Sequence, residues 1–231
     1  MLSVIATPIG NLEDISYRAV ESLRAADLIA AEDTRHSRIL LDRYQISKPL
    51  VSYHQHNEAM RTVELIERLQ SGATIALITD AGMPGVSDPG RRLIVACIEK
   101  NLPYTIIPGP SAVINALIGS GFPSEAFYFG GFLPVKSGQR ERILTEAIAR
   151  KETTLFFESP YRLVKSLAVL ASIAPDRLVC VARELTKHFE EYRRGIPAEL
   201  VAYYTQRPPK GEITVAISAP PCTKRKPPFS E

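Results

Sequence analysis

Three short segments of small residues and prolines stand out: Thr7-Pro8-Ile9-Gly10, the run Asp80-Ala81-Gly82-Met83-Pro84-Gly85-Val86-Ser87-Asp88-Pro89-Gly90, and Pro108-Gly109-Pro110-Ser111-Ala112. Each follows a β-branched stretch. Glycine and alanine there let a ligand approach the backbone closely, and exposed N–H groups can bind its polar edges. One such loop is an ordinary turn. Three at successive strand ends point to a shared pocket, because open parallel sheets bind ligands outside the carboxyl ends of their strands. The phosphate-cradling patterns G-x-G-x-x-G after the first strand and G-x-x-x-x-G-K-[ST] anywhere are missing, which disfavours NAD and ATP. A ligand with an adenosine moiety and no phosphate chain needs neither.

Charged candidates lie beside these loops. Glu32, Asp33, Arg35 and His36 follow the second β-branched run. Arg35 suits a phosphate, and an acidic neighbour could take a proton. Equally, Asp33 or Thr34 could cap a helix there and leave Arg35 solvated; both readings stand. His54 and His56 share one face if a strand reaches them. No third ligand is suitably spaced, so a substrate contact fits them better than a metal, and no metal is expected. Arg183, Lys187, His188, Arg193 and Arg194 make a polar, basic stretch that could follow a nucleic-acid backbone, or could be solvated strand edges. Lys136, Arg140 and Arg142 read more simply as a solvated helix face, though they could flank an RNA groove.

The elements that must position these groups alternate along the chain. Strands are expected at 2–6, 28–31, 50–54, 73–79 and 104–107, with helices near 16–26, 34–44, 58–71 and 89–100. In the third helix, Met60, Val63, Ile66 and Leu69 form a stripe behind an Asn57 cap; the fourth opens with Asp88-Pro89 as cap and first residue. Such alternation predicts a mainly parallel sheet covered by helices. Turn formers between Gly119 and Pro134 mark a break near 115–125. Beyond it, strands are expected at 153–157, 177–182 and 212–218, and helices near 138–150, 160–173 and 198–206, with Pro160 and Pro197 at two helix starts. The organisation is therefore a first α/β lobe over 1–118, a second over 119–219, and a proline-rich, basic, disordered tail over 220–231.

Bulk properties narrow the class. With 28 Lys and Arg against 25 Asp and Glu, the net charge of +3 leaves nucleic-acid binding to local patches. No apolar run approaches the roughly 20 residues that span a membrane. The opening Met1-Leu2-Ser3-Val4-Ile5 enters a strand with no basic stretch, unlike a secretory signal. Cys97, Cys180 and Cys222 are odd in number and far apart, which fits a reducing cytoplasm and structural thiols.

An ordered set of motifs carries a resemblance. Ala6-Thr-Pro-Ile-Gly-Asn-Leu12, Ala31-Glu-Asp-Thr-Arg35, the Thr79–Gly90 segment and Pro108–Ala112 resemble the tetrapyrrole methylase superfamily. Within it they resemble the ribosomal RNA small subunit methyltransferase I branch. Gly131–Pro134, Phe157–Arg162, Arg183–Lys187 and Lys210–Glu212 continue the match in order, over about residues 2–218. The resemblance implies a class III methyltransferase: two α/β lobes with S-adenosylmethionine in a cleft between them, usually a homodimer. Its expected acceptor is the ribose 2′-hydroxyl of a cytidine in 16S RNA, free or in the small ribosomal subunit. Carried over by motif, the cofactor contacts are Pro8, Asp80, Ala81, Gly82, Met83, Pro84, Gly85, Val86, Ser87, Ser111 and Ala112 from the first lobe. The second lobe adds Gly130, Phe157, Ala182 and Gly211. Glu32, Asp33 and Arg35 become catalytic candidates, and Arg35, His36, His54, His56, Arg183 and Lys187 substrate contacts. Longer members of the branch carry a further helical C-terminal module, and Tyr161 stands where histidine is common.

Three rivals remain at this level. A corrin-type small-molecule methyltransferase shares the superfamily. A cofactor-binding RNA module would bind without turnover. A nucleotide pyrophosphohydrolase would need clustered carboxylates for magnesium, and Glu190-Glu191 lacks the E-x-x-E and E-x-x-D partners.

Overall fold

A computed structural model describes residues 1–220. The expected tail lies, from residue 221 on and with Cys222, outside the described residues. The chain divides into two compact units, Met1–Ala112 and the part from Val113 onward.

The first unit is a five-stranded sheet in the order β3-β2-β4-β1-β5. The strands are β1 (Leu2–Ile5), β2 (Leu28–Ala31), β3 (Leu50–Ser52), β4 (Ile75–Ile78) and β5 (Tyr104–Ile107). Every pairing is parallel, so all five carboxyl ends lie along one edge. Helices α1 (Tyr17–Ala25), α2 (Thr34–Arg43), α3 (Glu58–Gln70) and α4 (Arg91–Glu99) link the strands. Alternation within each strand sorts the core into two layers. Ile5, Ile29 and Ile78 pack with Leu23 of α1 and Leu41 of α2. Val4, Ala30 and Leu77 pack with Leu65 of α3 and Leu93 of α4. Burial on both faces is why β2 and β4 read as uninterrupted apolar runs, and β1 as one broken only by the buried Ser3.

Three local expectations are corrected. The buried stripe of α3 is Thr62, Leu65, Ile66 and Leu69, whereas Met60 and Val63 face solvent. Asp88-Pro89 does not open α4. The Pro89 carbonyl accepts from Gly85 N at 3.1 Å, so the proline closes a loop turn and Gly90 becomes the residue before the helix. Strand β3 stops at Ser52, because Asn57 accepts from His54 N at 2.9 Å and donates back to the Ser52 carbonyl at 3.2 Å.

The second unit contains α5 (Ala112–Ser120), β6 (Phe127–Phe132), α6 (Ser137–Ala149), β7 (Thr153–Glu158), α7 (Leu163–Ile173), β8 (Val179–Arg183), β9 (Glu191–Gly195), α8 (Pro197–Gln206) and β10 (Ile213–Ile217). Its sheet runs β6-β7-β10-β8-β9; β6–β7 is parallel and the other pairings are antiparallel. Helix α5 spans 112–120, across the start of the domain boundary expected near 115–125, and β6 and β9 add two strands to those expected from the sequence. Pro197 is the first residue of α8 as expected; α7 starts at Leu163, beyond Pro160. One face of the sheet packs Phe156, Val181 and Val215 against Leu167 of α7 and Leu200 of α8. At the end of α5, Arg194 donates to the carbonyls of Gly119 and Ser120, a cation placed on a helix C-terminus. Among the described residues no helix is long and apolar enough to cross a membrane.

Candidate active site

In the first unit the three small-residue loops meet at the carboxyl edge. Thr7 N donates to the Gly82 carbonyl at 2.9 Å and Gly82 N returns to the Thr7 carbonyl at 3.1 Å. The Thr7 hydroxyl donates to the Thr79 carbonyl at 3.0 Å. Gly82 has φ +80°, and a Cβ there would lie 3.6 Å from Ile9 Cγ2 and 3.9 Å from the Pro110 oxygen. A Cβ on Gly109 would stand 3.0 Å from that of Ala6. Backbone this close, with Gly85 and Ser87 also at positive φ, is a cradle that larger residues would fill. Pro8, Gly82 and Pro84 are buried in it, while Val86 and Ser87 reach solvent; Asp80, Ala81, Met83, Gly85, Ser111 and Ala112 are half-buried.

Beside the cradle, at the ends of β2 and β4, carboxylates converge. Asp80 accepts from Asp33 N at 3.1 Å, and Glu32 Oε2 accepts from Asp80 N at 3.4 Å. Burial raises the Glu32 pKa; the hydrogen bond from the Asp80 backbone opposes this, the Asp80 charge adds to it, and His54 pulls the other way. His54 Nδ1 is a buried atom without a hydrogen-bond partner among the described residues. Its ring lies 5.9 Å from that of His56, edge to face.

Asp33 is placed differently. It precedes α2 and accepts from Arg35 N at 2.8 Å, and it grips the Arg35 guanidinium at 2.9 Å. These bonds, the Arg35 side chain first, pull its pKa down to about 2. Arg35 has 90% of its side chain exposed, and His36 is exposed beside it. A depressed carboxylate pKa stabilises the fold above its ordinary value of 3.8, and that contribution is lost as the pH falls toward 2. Asp33→Ala is therefore expected to lower the melting temperature at neutral pH, with the gap to wild type shrinking as acid is added. A gap independent of pH between neutrality and strong acid, in paired thermal melts, would contradict the capping role.

In the second unit, strand register places Phe132, Phe157, Thr214, Ala182 and Tyr192 in one row across the sheet. Phe157 meets the Phe129 ring at 4.9 Å and that of Phe132 at 5.2 Å. Gly130 sits where a Cβ would strike the Phe156 ring, and Gly211, at φ +85°, where it would strike Glu184. Arg183 and Lys187 lie near Gly211 but are engaged: Arg183 pairs with Glu191 at 3.2 Å, and Lys187 with Glu184 and Glu212, each at 2.9 Å. Neither Thr7 nor Tyr192 is among the site residues expected from sequence; the Thr7–Gly10 bend carries a signal for the first, but only strand pairing reveals the second. Among the described residues no group of three or more His, Cys, Asp or Glu side chains could hold a metal ion.

A five-stranded parallel unit with a glycine-lined carboxyl edge, followed by a mixed-sheet unit, matches a known class. The family model described as tetrapyrrole (corrin/porphyrin) methylases matches residues 1–201, and the chain belongs to that family. Solved structures with this fold include diphthine synthase (TM-score 0.71, 15% identity, 94% of this chain and 89% of that one) and the methyltransferase CobJ (TM-score 0.70, 18% identity, 99% and 97%). Much nearer in sequence are proteins named ribosomal RNA small subunit methyltransferase I. The one from Synechocystis sp. is 46% identical over 100% of this chain and 83% of its own length. That of Mesorhizobium japonicum is 50% identical over 94% and 74%, and that of Thermotoga maritima 44% over 94% and 97%.

Proposed function

We propose that this chain is an S-adenosylmethionine-dependent methyltransferase acting on 16S ribosomal RNA, at the ribose 2′-hydroxyl of a cytidine. The observation that carries the reading is identity of 42–50% across nearly the whole chain to proteins named for small-subunit RNA methylation. The glycine-lined carboxyl edge supports it as a seat for a nucleoside without phosphates.

The residues present fit that cofactor. Gly82, Gly85 and the Asp80–Ser87 backbone would line it with Pro8, Ser111 and Ala112, and the Asp80 carboxylate after β4 suits sugar hydroxyls or an ammonium group. Gly130, Phe157, Ala182 and Gly211 are assigned to it by the family resemblance. When bound, the cofactor supplies an already activated methyl group, so the protein's work is alignment, exclusion of water and proton removal. A ribose hydroxyl must lose its proton as it is methylated. Glu32 is our choice of base: it is half-buried with a raised pKa and faces His54, whereas Asp33 is committed to its cap and to Arg35. Arg35, His36, His54 and His56 would meet the RNA. Arg183 and Lys187, held in ion pairs, would serve it by shaping the Gly211 turn more than as free cations. We place the enzyme in the cytoplasm as a homodimer.

The reading is tested by incubating the chain with methyl-labelled S-adenosylmethionine and either small ribosomal subunits or free 16S RNA, then mapping the label. Label on a cytidine 2′-oxygen is expected. Label on a base, or transfer to a corrin-type small molecule with none to RNA, would overturn it. In the same assay Arg35→Ala is expected to raise the KM for RNA several-fold and leave cofactor affinity within about twofold, since one exposed phosphate contact is worth about 1 kcal/mol. Equal loss of both would instead make Arg35 structural.

A further inference from the structure

In the second unit, the carboxyl edge of the parallel pair β6–β7 carries two loops that present large apolar side chains to water. Phe132, Val135 and Tyr161 are 60%, 78% and 92% exposed. Loops that expose such groups are ordinarily slack, but these are held from below. Arg140, itself buried, donates through Nη1 to the carbonyls of Pro134 at 3.3 Å and Val135 at 3.2 Å. In the neighbouring loop, the fully buried Glu158 carboxylate accepts from Ser159 N at 2.7 Å and from the Ser166 hydroxyl, and pairs with Arg162 at 3.0 Å. Arg162 N and Leu163 N both return to the Ser159 carbonyl, at 3.0 and 3.1 Å, which fixes Tyr161 on the outside of the turn. Phe132 leans on Phe157.

The charge around these side chains has one sign. From Gly130 to Arg140 and from Ser159 to Ile173 the chain carries Lys136, Arg140, Arg162 and Lys165 and no aspartate or glutamate. Lys136 and Lys165 are exposed; Glu158, just before the second segment, is already paired, and the next carboxylate after the first is Glu141 on α6. Rigid exposed aromatics beside unopposed lysines suit an unpaired nucleic-acid strand, whose bases stack on aromatic faces while its phosphates meet cations.

We propose that the Phe132–Lys136 and Ser159–Lys165 segments form a docking platform for single-stranded RNA, with Tyr161 stacking on an unpaired base and Lys136 and Lys165 meeting the flanking phosphates. This rests on the RNA reading above and locates where that substrate is gripped.

The test uses the full chain and a fluorescein-labelled single-stranded oligoribonucleotide cut from 16S RNA, with the same sequence as a duplex for comparison. Fluorescence anisotropy is expected to show Tyr161→Ala weakening the single strand about tenfold, with Tyr161→Phe restoring it. The double variant Lys136→Glu/Lys165→Glu is expected to reduce the salt slope of single-strand binding by about 1.4, two phosphate contacts' worth. Cofactor affinity by calorimetry is expected to be unchanged in each. Wild-type binding by Tyr161→Ala overturns the platform, as does an equal loss for single strand and duplex. So does a changed sedimentation coefficient with RNA binding intact, which would assign the surface to a second copy of the chain. If wild type methylates 16S RNA and Tyr161→Ala does so equally well, only the platform falls. If wild type neither binds nor methylates RNA, both readings fall together.

Discussion

Gly82→Val is expected to weaken S-adenosylmethionine binding by about a hundredfold or more, equivalent to roughly 2.7 kcal/mol, while the chain stays folded. Gly82 is where the three loops of the first unit touch. It exchanges two backbone hydrogen bonds with Thr7, and its Cα faces Ile9 and the Pro110 carbonyl. At φ +80° a β-branched residue is strained by about 1–3 kcal/mol. Its methyl groups would also extend beyond a Cβ already 3.6 Å from Ile9. Relief comes only by spreading the loops, whose outer residues Val86 and Ser87 reach solvent, while the layers around Leu41 and Leu65 remain packed. Calorimetry should therefore show lost affinity while a thermal melt still shows one cooperative transition. An unchanged Kd would remove the cofactor from this edge.

Glu32→Gln is the second large effect. As base, the carboxylate must be ionised, so wild-type kcat is expected to rise with pH through the raised Glu32 pKa and then level off. General-base catalysis contributes about 10²–10⁴-fold, and the glutamine variant should lose that factor in kcat together with the acid limb of the profile. Stability should move the other way. A carboxyl whose folded pKa lies above the ordinary 4.5 binds its proton more tightly in the folded state. Its contribution to stability is thus present in acid and is lost as the pH climbs through the folded value. A neutral amide removes that loss, so Glu32→Gln should be as stable as wild type at neutral pH, or more so. A variant that melts early and loses KM and kcat together would show Glu32 to be a scaffold residue instead.

The first sheet was readable in advance because Leu28–Ala31 and Ile75–Ile78 are buried on both faces and leave unbroken apolar runs. Strand β9, Glu-Tyr-Arg-Arg-Gly, carries its charges into ion pairs and hydrogen bonds that no local pattern announces. Helix α5 is apolar nearly all round, with Ile114 and Ile118 exposed, so it lacks the polar stripe that marks a surface helix. In α3 the apolar Met60 and Val63 suggested the wrong face, since the buried side begins at Thr62, whose hydroxyl meets that of Tyr53 at 3.0 Å. The small-residue loops could be found from composition, but their contacts required the strand order. Glu32 and Asp33 could not be separated by residue type at all. The distinction between a half-buried carboxylate and a helix cap exists only once β2 and β4 lie side by side.

The most direct test is a crystal of the chain grown with S-adenosylhomocysteine. The ligand is expected at the carboxyl edge of the first sheet, against Gly82 and the Asp80–Ser87 backbone, with its methyl-donor end toward Glu32. Ligand bound at the amino edge of that sheet, or on a face remote from Gly82, would contradict that placement.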